Sequence, residues 1–186
     1  MRENSRGGRL TVYNGAGQWT KHVSKGIADF NGLPFKIILD PEPDKIKADI
    51  VVMISYGKLS AFTWDRREIK SDFDAAATHG QTGSFLDSRD RVEKAVIFLP
   101  AKLKKIPDEI KVLVVVHELI HACGLVEKND HDPIGGIMYA TMQLVDGKLR
   151  EPSMDKNLKG MPPIRIGTWT QCKISELWHN SEDCKE

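Results

Sequence analysis

The segment His117-Glu118-Leu119-Ile120-His121 contains residue types at a spacing that could bind a metal ion and activate water. On an α-helix, residues four apart share a face and lie about 6 Å apart along the axis, so two imidazoles can reach one ion. Glu118 is turned by about 100° from His117, which places its carboxylate beside the ion rather than on it. Glu118 can therefore act as a general base toward a water molecule that the ion acidifies.

Zinc is the metal that this donor set favours, because it binds imidazole nitrogens and its catalytic sites combine three protein ligands with one open position. A random arrangement of the same residues would contain His-Glu-x-x-His in roughly 1 % of cases, so chance is a poor explanation. We predict one catalytic Zn²⁺ bound by His117 and His121, with Glu118 as the catalytic base.

The predicted metal ligands require a helix, and the flanking residues supply its ends. Pro107, followed by two acidic residues, is typical of a helix start, and Gly124 is the residue type that most easily ends one. Val112–Val116 is rich in β-branched residues, which favours a strand. We nevertheless predict a helix, because the apolar residues of this stretch and the two histidines follow a helical period.

Upstream of this helix, apolar runs of strand length surround one amphipathic helix. The helix is predicted from Trp19, Val23, Ile27 and Phe30, and the strands are predicted at Leu10–Tyr13, Phe35–Leu39, Ala48–Ser55 and Lys94–Leu99. Gly57–Ser71 is interpreted as a loop or a short helix. Short edge segments are expected at Ala75–Thr78 and Ser84–Leu86, around a Gly80–Gly83 turn. This order predicts an α+β fold with a mixed sheet.

Downstream, the pattern predicts a small hairpin and a final helix within a single domain of residues 1–186. The hairpin is expected at Thr141–Val145 and Lys148–Glu151, Met154–Pro163 is interpreted as irregular, and Trp169–His179 is predicted to be helical. The N-terminal subdomain would span about residues 9–124 and the C-terminal subdomain about residues 125–186. Cys172 and Cys184 could form a disulfide in an oxidising compartment.

The sequence HELIHACGL, followed by a His-Asp pair and by GIMY, resembles the metzincin zinc metallopeptidases, and their matrixin branch most of all. The motifs cover Val112–Tyr139, and the order of elements is similar over about Leu10–Tyr139. The resemblance implies that Gly124 lets the chain turn back to deliver a third ligand, and that Met138 forms a turn beneath the metal. It also implies a zincin fold, in which a twisted sheet with an antiparallel edge strand packs on the N-terminal helix and the zinc helix.

The third ligand is where the chain departs from this family. The family usually places it three residues after the glycine, and here that position is Glu127. The nearest histidine is His131, which we favour because imidazole suits catalytic zinc. Glu127 is the alternative, and Asp130 or Asp132 is a weaker one.

The resemblance implies a zinc-dependent endopeptidase whose peptide or protein substrate lies extended along an edge strand within Ala75–Leu86. A net charge of +1, and the absence of a basic run interleaved with aromatic residues, give no reason to expect a nucleic acid partner. The apolar runs are too short to cross a bilayer, and the N-terminus lacks the apolar core of a secretory signal. We expect a monomer.

Two other functions are compatible with the motif. One is an inactive or structural metzincin-like module, for instance one associated with a virion. The other is a zinc-dependent endoribonuclease, because ribosome-associated endoribonucleases also place zinc histidines four and ten residues apart on a helix. Glu127 stands where their third histidine would be, and the near-neutral charge argues further against RNA.

Overall fold

The computed structural model shows an α+β fold, which confirms the predicted fold class. The helices are α1 (Thr20–Asn31), α2 (Asp108–Ala122) and α3 (Thr168–Leu177). The strands are β1 (Arg9–Gly15), β2 (Ile38–Pro41), β3 (Ile50–Ser55), β4 (Ala61–Trp64), β5 (Arg67–Lys70), β6 (Gln81–Leu86), β7 (Val92–Pro100), β8 (Gln143–Val145), β9 (Lys148–Arg150), β10 (Lys159–Met161) and β11 (Ile164–Ile166). The structure describes residues 7–58, 60–71, 80–101, 107–126, 131–133, 135–138, 143–145, 148–150, 159–161 and 164–178.

The main sheet has five strands in the order β2-β1-β3-β7-β6. The first four are parallel, and β6 runs antiparallel to β7 at the edge, as the resemblance implied. β3 and β7 lie inside the sheet and are covered on both faces, which explains why their sequences are apolar without alternation.

Helices α1 and α2 cover one face of the sheet and enclose the larger core with it. The two helices pack tightly at Gly26 of α1, where a Cβ atom would lie 2.5 Å from Cγ1 of Val115. Because Gly26 has no side chain, α2 can pack closely against α1 at this position. Helix α2 carries the paired histidines.

The other face of the sheet is covered by a hairpin that the sequence analysis did not predict. Gly57–Ser71 was interpreted as a loop or short helix, and this was wrong, because β4 and β5 pair antiparallel within it. Asp65 and Arg66 both have positive φ, as a two-residue hairpin turn requires. Residues of the hairpin enclose a second core with β3, β6 and β7, made of Ala48, Val51, Phe62, Phe85, Val96 and Phe98.

Three further boundaries differ from the sequence predictions. Gly80–Gly83 is not a turn, because Gly83 lies inside β6, while 72–79 is outside the described residues. Strand β2 spans Ile38–Pro41, so it begins and ends later than the predicted strand Phe35–Leu39. The stretch predicted to be irregular contains β10, which pairs antiparallel with β11.

The predicted C-terminal hairpin and final helix are confirmed as the β8–β9 pair and as α3. Within the described residues, no helix combines the length and the apolar character that a membrane crossing requires.

Candidate metal centre

Three histidine side chains meet at the C-terminal half of α2. His117 and His121 lie one helical turn apart on this helix, and His131 reaches them from the segment beyond the helix. One ring nitrogen from each lies within 4.8 Å of the other two. The ring centroid of His131 is 5.4 Å from that of His117 and 4.9 Å from that of His121. The three predicted ligands are therefore gathered at one point.

Main-chain carbonyl groups determine which ring nitrogens of the α2 histidines carry protons. Nδ1 of His117 lies 2.8 Å from the carbonyl oxygen of Ile137, and Nδ1 of His121 lies 2.5 Å from that of Leu125. A carbonyl oxygen only accepts hydrogen bonds, so each neutral ring is protonated on Nδ1. The Nε2 atoms then carry lone pairs, and they face each other at 3.1 Å.

Two lone pairs at this distance repel each other unless a cation lies between them. Zinc–nitrogen distances of about 2.0–2.1 Å in tetrahedral geometry separate neighbouring ligand nitrogens by about 3.3 Å, close to the separation of these Nε2 atoms. The hydrogen bonds from Nδ1 to carbonyl oxygens are the kind that orient metal-binding histidines. The three residues therefore fit a metal ion by their chemistry and their spacing.

Burial keeps the α2 histidines neutral, which is the state that binds a metal. Burial lowers the pKa of His117, against a smaller opposing effect of the Ile137 carbonyl. Burial also lowers the pKa of His121 to about 3, and the neighbouring His117 adds to that effect. Metal binding at neutral pH would thus release few protons from these rings.

Glu118 lies between the histidines and the edge strand β6, and it is 7 % exposed. Burial raises the pKa of its carboxyl group to about 7, while the Thr82 hydroxyl and His131 act in the opposite direction. The Thr82 hydroxyl donates to Oε2 of Glu118 at 2.6 Å. At Gly80, an added Cβ atom would lie 2.9 Å from Oε1 of Glu118. The carboxylate is thus held between Thr82 and a glycine.

Main-chain groups of residues 135–138 hydrogen-bond to His117 and to the segment that carries His131. Met138 is fully buried, and its carbonyl oxygen accepts a hydrogen bond from the amide of Asp132 at 2.9 Å. The preceding residue, Ile137, supplies the carbonyl that orients His117. Gly124, which was predicted to turn the chain at the end of α2, has a φ of 129°. The roles that the resemblance implied for Gly124 and Met138 stay predictions.

Among the described residues, the alternative ligand Asp132 is not part of this cluster. Glu127 and Asp130 lie outside the described residues. Asp132 directs its carboxylate oxygens to Gly135 and Thr170.

Strand β6 presents main-chain groups at the edge of the sheet next to Glu118. The amide of Ala95 in β7 bonds to β3, so the alternate residues Val96 and Phe98 bond to β6. The main-chain amides and carbonyls of their partners, Gly83 and Gln81, therefore point toward β7. Those of Thr82 and Ser84 point away from the sheet. Among the described residues, none hydrogen-bonds to those outward main-chain groups of Thr82 and Ser84.

The sequence analysis did not find Thr82 or Gly80 as parts of the site, and it considered Asp132 only as a weaker alternative ligand. Thr82 is 36 positions from Glu118, and only the register of β6 on β7 brings the two together. Away from the site, His22 is largely buried, and its Nε2 lies 3.1 Å from Oδ1 of Asp108.

The two cysteines that the structure describes, Cys123 and Cys172, are not part of the histidine cluster. Cys123 is free and buried, and burial raises the pKa of its thiol. Cys172 is disulfide-bonded, whereas Cys184, its predicted partner, lies outside the described residues.

A scan against protein-family models finds no match to this chain, and a search of the curated proteins finds no match either.

Proposed function

We propose that the chain is a zinc-dependent endopeptidase of the metzincin type, with His117, His121 and His131 as metal ligands and Glu118 as general base. The observation that carries the proposal is the 3.1 Å approach of two Nε2 atoms whose protons are held on Nδ1. Neutral imidazoles arranged in this way suit zinc among the common divalent ions.

The bound ion would polarise the scissile carbonyl and lower the pKa of a water molecule at its open position. Glu118 is suited to take the proton from this water, because a pKa of about 7 balances the ionised and protonated forms at neutral pH. The protonated carboxyl can then donate to the leaving amine. The Thr82 hydroxyl fixes the orientation of the carboxylate during both steps.

The edge strand β6 supports a peptide as the substrate. Thr82 and Ser84 offer outward amides and carbonyls, and a third such carbonyl, that of Leu86, accepts from Nη1 of Arg67 at 2.6 Å. An extended peptide can add by main-chain hydrogen bonds to the part of this edge that no described residue bonds. Because Thr82 also contacts Glu118, a peptide bound there passes next to the general base. This arrangement favours cleavage within a chain rather than at its ends.

Cleavage of an unfolded protein by the zinc-loaded chain tests the proposal. We expect new internal termini, detected by mass spectrometry, and their loss after chelation. Glu118→Gln should retain zinc and lose activity by about 10²–10⁴-fold, as for other general bases. Glu68→Gln, which changes an acidic residue of the β4–β5 hairpin, is the matched control. Unaltered cleavage by Glu118→Gln would contradict the assignment.

The same preparations, incubated with single-stranded RNA, separate the peptidase from the endoribonuclease alternative. Zinc-dependent cleavage of RNA without cleavage of peptides would favour the nuclease. Stoichiometric zinc with neither activity would favour the structural module.

A further inference from the structure

Asp132, the residue directly after His131, is a buried carboxylate that joins the metal centre to the C-terminal helix. It is 1 % exposed. Its Oδ2 accepts from the hydroxyl of Thr170 at 2.9 Å and from the amide of Thr170 at 3.3 Å. Its Oδ1 accepts from the amide of Gly135 at 3.2 Å. A buried carboxylate with these donors is held in one orientation.

Thr170 lies in the first turn of α3, where helix amides lack partners within the helix. No side chain caps α3 from the preceding residue Gly167, so Asp132 supplies both the missing acceptor and a negative charge at the positive end of the helix. Gly167 also makes room for this contact, because a Cβ atom there would lie 2.1 Å from Oδ2 of Asp132. Only glycine lets the chain pass at this distance.

The same region of the chain also positions a second histidine. Strand β11 leads directly into α3. The carbonyl oxygen of Arg165 in this strand accepts a hydrogen bond from the amide of Ile137 at 2.7 Å, and Ile166 forms a β-bridge with Gly136. The carbonyl of Ile137 in turn orients His117. The β11–α3 unit therefore supports His131 through Asp132, and His117 through Ile137.

We propose that Asp132 and Thr170 are positioning residues that couple metal binding to the docking of α3. In this coupling, the bound ion fixes His131 and with it Asp132, and Asp132 fixes the first turn of α3. The coupling is reciprocal, so a docked α3 raises the affinity for the metal. This inference rests on the proposed metal site, and it makes the C-terminal helix a structural component of that site.

The strand β1 offers a matched control for this contact. The amide and hydroxyl of Thr11 both donate to Oδ2 of Asp49 at 2.8 Å, which reproduces the Thr170–Asp132 arrangement away from the histidines. Thr11→Val and Thr170→Val therefore remove the same kind of hydrogen bond. Only Thr170→Val removes it next to a metal ligand.

Zinc affinity, measured on the full chain by competition with a chromophoric chelator, tests the proposal. We expect Thr170→Val to weaken zinc binding by roughly tenfold or more, as for the loss of a hydrogen bond to a charged group. Thr170→Ser, which keeps the hydroxyl, should restore the affinity. Thr11→Val should lower the melting temperature and leave the affinity unchanged. Wild-type affinity in Thr170→Val would overturn the coupling and leave the proposed peptidase intact.

Hydrogen exchange on the wild-type protein gives a second test that needs no variant. Adding zinc should slow exchange of the α3 amides. Unchanged exchange in α3, with zinc bound, would overturn the coupling. A wild-type protein that binds no zinc would instead overturn the proposed function, and this inference with it.

Discussion

The hydroxyl of Thr82 in the edge strand β6 donates a 2.6 Å hydrogen bond to Oε2 of Glu118 in helix α2. The same hydroxyl lies 3.1 Å from the main-chain carbonyl oxygen of Glu118. One side chain of the edge strand β6 therefore fixes the carboxylate of Glu118, the proposed general base, in place. The bond favours the ionised carboxylate, and so it opposes the effect of burial on the pKa of Glu118.

Replacing Thr82 should change the pH dependence of the reaction. Thr82→Val removes the bond that stabilises ionised Glu118, so the pKa of this carboxyl should rise further. We expect the acidic limb of the kcat/KM profile to move to higher pH by about one unit. Thr82→Ser, which retains a hydroxyl, should keep the wild-type profile. An unshifted limb in Thr82→Val would show that the hydroxyl does not act on the base.

Glu118→Gln should stabilise the metal-free protein at neutral pH. Burial raises the pKa of Glu118 from 4.5 to about 7, so the folded state binds this proton more tightly than the unfolded state. Proton binding by Glu118 therefore stabilises the folded state fully below pH 4.5, and this contribution is lost as the pH rises to about 7. Above that pH, the variant should be more stable by about 3 kcal/mol.

Urea unfolding in the presence of a chelator measures this difference. The two proteins should have similar free energies of unfolding near pH 4 and should diverge between pH 4.5 and 7. A difference that is independent of pH would contradict the buried, ionisable state of Glu118.

Gly80→Ala should impair catalysis, because the new Cβ atom would lie 2.9 Å from both Cγ and Oε1 of Glu118. We expect at least a tenfold loss of kcat/KM from displacement of the base. In Gly83→Ala the new atom instead meets Cγ2 of Ile69 at 2.6 Å, on the opposite face of β6. Adding Ile69→Ala should restore the melting temperature that Gly83→Ala lowers. The same change should not restore the activity that Gly80→Ala removes.

Gly26→Ala should destabilise the packing of α1 on α2. Alanine favours the helix by about 1 kcal/mol over glycine. The added Cβ atom, however, would lie 2.5 Å from Cγ1 of Val115 and would overpack the contact, at a cost of about 1–3 kcal/mol. Val115 is β-branched and cannot rotate away easily within a helix.

Denaturant unfolding of Gly26→Ala and of the Gly26→Ala/Val115→Ala double variant checks this prediction. The double variant should lose less stability than the sum of the two single changes, because the new methyl group occupies the space that Val115 leaves. Additive losses would contradict the close approach of the helices.

The parts of the site that the sequence could predict depend on short chain separations. His117 and His121 are four residues apart, so they share one face of the helix once the segment is helical. Gly124 marks the end of that helix. Thr82 and Thr170 could not be predicted in this way. Their contacts with Glu118 and Asp132 join positions 36 and 38 residues apart, and they depend on strand register and on the docking of a helix.

The β4–β5 hairpin was missed because its turn lacks the usual chemical signal. Asp65 and Arg66 adopt positive φ without glycine or asparagine, and the strands on either side have only four residues each. What holds the hairpin is tertiary packing, since Phe62 and Trp64 both contact Phe85 of β6. Short-range patterns do not contain that information.

X-ray absorption at the zinc edge, on the purified and zinc-loaded chain, tests the metal centre most directly. We predict one zinc per chain, surrounded by three imidazole nitrogens at about 2.0–2.1 Å and one further oxygen, with one imidazole lost in His131→Ala. A chain that binds no stoichiometric zinc, or whose zinc environment is unaltered by His131→Ala, would contradict the three-histidine site.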